Sequence, residues 1–199
     1  MKKIIERVKL IVLKPRETWE TISTEEATVS GLLKEYLLVL AAVPALASLL
    51  GKWIFGIPIP FVGYYRFSFG ASLIIAIIWY VLTVAGVWVL GKVISYLAQN
   101  FGSQRNDVKG FKVAIYSYTP FLAAGILYLI PRLDILVSLA GLYGLYLLYI
   151  GLPIVMETPK EKSLAYTVVV VLAIILIYII VASITQAILG TFGPSLPRI

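Results

Sequence analysis

The chain has 199 residues, 60% of them hydrophobic and 14% charged, with a formal net charge of +7. That leaves too little polar surface for a water-soluble domain of this length, so composition alone points to a membrane protein. The chain contains no cysteine and no histidine, which excludes disulfides, thiolate and imidazole metal sites, cysteine nucleophiles and the usual neutral-pH proton shuttle. No metal and no cofactor is expected.

The N-terminal stretch "KKIIERVKLIVLKP" does not read as a signal peptide, because Glu6, Arg7, Lys9 and Lys14 interrupt its apolar run and no small-residue cleavage site follows. Instead Ile4, Ile5, Val8, Ile11 and Val12 recur at helical spacing on one face. Pro15 ends that helix, and "PRETWETI" begins a second turn carrying Trp19 and Ile22 toward one side. Residues 1–29 are expected to form an amphipathic cytoplasmic arm. Two arrangements suit it equally. It lies in the interface with its basic face on anionic headgroups, or it packs on the cytoplasmic ends of a helical bundle.

A hydrocarbon core of ~30 Å needs ~20 apolar residues in a helix. Five segments reach that length, near 30–51, 69–97, 112–130, 134–155 and 163–190. The fold expected for residues 30–199 is therefore all-α, a polytopic bundle of five transmembrane helices. "STEE" offers Ser23 and Glu26 as a capping box before the first span, and "TPKE" offers Thr158, Pro159 and Glu161 before the fifth. Pro44 and Pro120 mark expected kinks, and Pro131 closes the third span. The loop "GKWIFGIPIPFVGYYRFSFG" places Trp53, Phe61, Tyr64 and Tyr65 where an interfacial aromatic belt is expected.

With the N-terminus inside, thirteen Lys and Arg fall on the cytoplasmic side and four (Lys52, Arg66, Arg132 and Arg198) outside. This asymmetry predicts a cytoplasmic N-terminus and an external C-terminus. The basic residues sit between long apolar runs, so the positive charge reads as topology and not as a nucleic-acid surface.

Intramembrane transporters and enzymes commonly keep ionisable residues within their spans. Here Lys34, Glu35 and Lys92 lie near span ends, Arg132 and Asp134 lie in a short turn, and no span has a carboxylate near its middle. That speaks against a proton relay or a carboxylate-lined cation path. No nucleophile elbow, zinc-protease helix motif or phosphate-binding loop occurs. Hydroxyls such as Ser117, Thr119, Ser138 and Ser183 suit interhelical hydrogen bonds. No catalytic residue is assigned.

One stretch is unusual. "GLYGLYLLYIGLP", residues 141–153, holds three glycines and three tyrosines without a charge. At ~100° per residue, Ala140, Gly141, Gly144 and Gly151 share one sector of the helix, with Tyr143, Tyr146 and Tyr149 opposite. Ala140 and Gly144 form a small-xxx-small pair that lets a neighbouring backbone approach, so this face is expected to be a helix-packing seam. Tyr143 and Tyr146 are expected to face other helices, with Tyr116, Tyr118 or Thr119 of the Pro120-bearing span as partners. Those six residues form the candidate interhelical or ligand cleft.

The block containing "YSYTP", "IP", "GLYGLYLLYIGLP" and "TPKEK", together with "LKPRETWETI" and "EEATVSGLLKEYLLVLAAVPAL" near the start, resembles the prokaryotic branch of the Yip (Ypt-interacting protein) domain family. The resemblance covers nearly the whole chain in the same order. It implies a five-span integral membrane protein with a cytoplasmic N-terminus. Eukaryotic members are linked to Rab-type GTPases, vesicle transport and membrane shaping, often as homo- or hetero-oligomers. Their "DLYGP" signature is absent from this chain, so Rab binding does not carry over to it.

The expected function is a non-enzymatic membrane scaffold or adaptor, in membrane organisation or a trafficking-like process. Its expected partners are the bilayer with its anionic headgroups, other proteins and a second copy of the chain. The alternative is a small channel or transporter for an uncharged or weakly polar solute.

Overall fold

The structure is a computed structural model that describes residues 2–59, 63–130 and 132–192. Phe61, Pro131 and the C-terminal tail, on which the expected external terminus rests, lie outside the described residues. Helices α1 (Lys2–Leu13) and α2 (Pro15–Thr24) form the arm. Long helices α3 (Val29–Ile54), α4 (Phe69–Phe101), α6 (Asp134–Met156) and α7 (Lys160–Phe192) follow, with the shorter α5 (Asp107–Ala124) between α4 and α6. The loop after α3 holds a small antiparallel hairpin, β1 (Ile57–Ile59) with β2 (Gly63–Tyr65), pairing Ile57 with Tyr65 and Ile59 with Gly63. The sequence predicts an aromatic belt for this loop and has no signal that singles out the hairpin. Trp53 meets Phe69 edge-on at 5.3 Å, and Tyr64 is exposed beneath the Arg132 guanidinium.

Local signals explain the helix starts, with two corrections. Thr28, not Ser23, caps α3, its Oγ1 accepting the Gly31 N–H at 3.1 Å. Ser23 lies inside α2 and donates back to the Glu20 carbonyl, because α2 continues through it to Thr24. Thr158 precedes α7, but its hydroxyl pairs with Ser103 at 2.7 Å instead of capping the helix. Ser68 and Asn106 cap α4 and α5, each accepting a backbone N–H from three residues on. Within α3, residues Leu32–Leu37 are wound as a π-helix.

Among the described residues, four helices, α3, α4, α6 and α7, are long and apolar enough to cross a membrane. The fifth expected span is α5, whose composition is poorer because Asp107, Lys109 and Lys112 occupy its first turns. Its eighteen residues tighten into a 3-10 turn over Gly125–Leu129. Together these rise ~35 Å, enough for a crossing. Eleven of the eighteen are buried, so α5 is sheathed by its neighbours and needs few lipid-facing side chains. Helix α7 is the opposite case: 11% of its apolar stretch is buried against 44% for α3. The protein is a multi-pass helical membrane protein built around α5.

The arm is part of this core. Ile11, Trp19 and Ile22 are fully buried in one cluster with residues of α3, α4, α5, α6 and α7, and Ile4, Val8 and Val12 pack against it. Withdrawing an isoleucine such as Ile11 or Ile22 from water is worth ~1.5–3 kcal/mol. Ile5 departs from the expected stripe. It is 65% exposed because it lies ~120° round the helix from Ile11.

Candidate functional site

Charged and hydroxyl side chains lace the helix ends beside the arm. Lys92 Nζ donates to Asp107 at 2.6 Å and Ser95 to the same carboxylate at 2.7 Å, joining α4 to α5. Those two donors hold the Asp107 carboxyl below the usual carboxylate range, first the Lys92 hydrogen bond and then that from Ser95. Lys109 pairs with Glu157 at 2.6 Å, and the Tyr166 hydroxyl donates to the Ile94 carbonyl.

Lys112 is the least expected member of this set, 4% exposed although it is a lysine. Its Nζ donates to the carbonyls of Ile22 at 2.7 Å and Glu25 at 2.5 Å. Those carbonyls end α2, where the unsatisfied C=O groups carry the negative end of the helix dipole. A cation there satisfies both needs and fastens the arm to α5. On the other side of the same turn, Arg7 of α1 pairs with Glu25 at 2.5 Å and stands 5.7 Å above the Tyr116 ring. Sequence reading missed both fastenings. The visible signal is a lysine at the start of the apolar third segment.

Between arm, α3 and α5 lies a cleft of about 1000 Å³. Lys3, Arg7, Lys109 and Lys112 line it together with Glu25, Glu26 and Glu35, as do Tyr36 and Tyr116. The two rings meet edge-on at 5.0 Å, and the Tyr36 hydroxyl pairs with Thr119 Oγ1 at 3.1 Å. Trp19 completes the aromatic group, 6.3 Å from Tyr116. Both charge signs above an aromatic floor suit a polypeptide segment better than a simple anion.

The six residues of the expected cleft do not converge. Tyr116 and Thr119 face the arm and α3, with Pro120 buried beside them in α5. Tyr118 is ~200° round the helix from Tyr116 and packs on Phe121 at 5.2 Å, beside a different cavity. The Tyr143 hydroxyl donates to the Val12 carbonyl at 2.8 Å, tying the end of α1 to a residue near the middle of α6. Tyr146 is 49% exposed and Tyr149 is also exposed, against the expectation that Tyr146 faces another helix. The physical reason is the glycine face itself. It takes up α5, so the opposite face turns outward, and only Tyr143, at the border, meets the arm.

The small-residue face serves two neighbours. A Cβ on Gly144 would stand 2.6 Å from the Ser117 carbonyl of α5, whereas one on Gly151 would overlap the Trp19 indole of α2. At Gly141 a Cβ would make an ordinary 3.5 Å contact with Phe121, and Ala140 is half-buried.

The Yip1 domain family model matches residues 9–182. The chain is similar to the inner membrane protein YohC of Escherichia coli (strain K12), 29% identical over 161 residues that cover 77% of this chain and 80% of that one. The protein of the same name from Escherichia coli O6:H1 is similar to the same degree. No solved structure matches. The match begins within α1, after Lys3 and Arg7, and takes in α2, α5 and the glycine-bearing helix; the chain belongs to the Yip1 domain family.

Proposed function

We propose that this protein is a non-enzymatic scaffold or adaptor of the cell membrane, with its N-terminus and arm on the cytoplasmic side, gathering protein partners at the cleft beneath the arm. The observation that carries this reading is the cleft of about 1000 Å³, with both signs of charge around Tyr36 and Tyr116. It opens at the end of the bundle where most Lys and Arg of the sequence cluster. Spans without a central carboxylate support a binding role over ion transport, and the relatives' names support the cell membrane.

A photo-crosslinking residue at Glu26, on the cleft, tests the proposal in living cells, with one at the exposed Leu142 as control. The expected result is a small set of discrete protein adducts from Glu26 that Glu35→Lys abolishes and that Leu142 does not give. Absence of those adducts, combined with flux of small uncharged solutes into proteoliposomes, would replace the scaffold by a channel or transporter.

A further inference from the structure

A second cavity, of about 310 Å³, lies on the opposite side of α5 from the cleft, between α5, α6 and α7. Ser117, Tyr118, Phe121, Gly141, Ile174 and Tyr178 line it, and among the described residues no charged side chain does. Leu142 and Ile175 also border it and are exposed on the outer surfaces of α6 and α7, so the cavity opens sideways toward hydrocarbon. Ser117 is 5% exposed and its Oγ has no hydrogen-bond partner. A buried hydroxyl without a partner costs ~1–3 kcal/mol, and no water from the hydrocarbon phase relieves it.

We infer that this cavity is a lateral binding site for a neutral lipid that has a long hydrocarbon part and one uncharged oxygen group, which hydrogen-bonds Ser117 Oγ once the serine side chain turns toward the cavity. The volume lies at the small end of the range for organic-ligand pockets, ~300–1000 Å³. A phospholipid headgroup does not fit this chemistry. No cation among the described residues lines the cavity, and bringing a phosphate to the depth of Ser117, ten residues into α5, carries a heavy desolvation cost. The sparse burial of α7 leaves room for the chain of such a lipid to enter between α6 and α7.

The test is photolabelling of the full-length protein in proteoliposomes with a diazirine-bearing long-chain alcohol, beside a matched diazirine alkane. The alcohol should label peptides around Ser117 and Gly141 saturably, about fivefold more than the alkane, as one added hydrogen bond implies. Ser117→Ala should erase that preference and, without lipid, melt no lower than wild type, because it removes the orphaned hydroxyl. Gly141→Leu should fill the cavity without striking backbone and abolish saturable labelling. Equal labelling by alcohol and alkane, or a preference that survives Ser117→Ala, would mean annular lipid only and overturn the inference.

Discussion

The Trp19 indole occupies the space where any side chain at position 151 would lie. Trp19 is fully buried, Gly151 sits near the arm end of α6, and the two hold the arm on the bundle together with Arg7, Glu25 and Lys112. Gly151→Leu therefore expels the indole. Overpacking of this kind costs ~1–3 kcal/mol. The expected outcome is faster proteolysis within residues 1–24 while the transmembrane fragment stays intact, read by limited digestion and mass spectrometry.

At Gly144 the obstacle is backbone. A Cβ 2.6 Å from the Ser117 carbonyl cannot be accommodated by turning a side chain, so α5 and α6 must separate. Gly144→Leu is expected to lower stability in detergent by ~2 kcal/mol or more, whereas Gly141→Ala changes it by under ~1 kcal/mol. Thermal melts of the two variants side by side check the difference.

The tyrosines of α6 predict a contrast of their own. Tyr143→Phe loses the hydrogen bond to Val12 and orphans that carbonyl, for a cost of ~1 kcal/mol. Tyr146→Phe, at a half-exposed site, stays within ~0.5 kcal/mol of wild type. Equal losses in the two melts would contradict the placement of the arm.

Asp107 supplies a pH dependence. Its folded pKa is held below the unfolded value of ~3.9 by Lys92 and Ser95, so its contribution is fully present above pH ~4 and is lost as pH falls through the folded value. Asp107→Asn should remove that part of the acid sensitivity, shown by melts between pH 3 and 6 in which wild type declines more steeply than the variant.

Much of the helical plan was legible because lipid demands long apolar runs, and four of the five are apolar enough to stand alone. The glycine face of α6 was legible as a periodicity, but its neighbours were not. Periodicity gives a sector, not its occupant, and nothing local told Gly144 to meet α5 while Gly151 meets Trp19. The expected tyrosine cleft failed for the same reason. Tyr116 and Tyr118 are two residues apart in "YSYTP" and so point to opposite sides of α5. Lys112 was read as a topology charge because its partners, two carbonyls of the arm, lie 90 and 87 residues away.

The orientation of the arm-side cleft is the claim on which the scaffold account turns. Since the chain has no native cysteine, single substitutions Gln104→Cys and Tyr64→Cys report sides without background. Gln104 lies at the arm end between α4 and α5, and Tyr64 in the hairpin at the far end of α3, both exposed. Labelling of intact cells with a membrane-impermeant maleimide should modify Tyr64→Cys and spare Gln104→Cys until the membrane is opened. Modification of Gln104→Cys in intact cells would place the cleft outside and contradict the account.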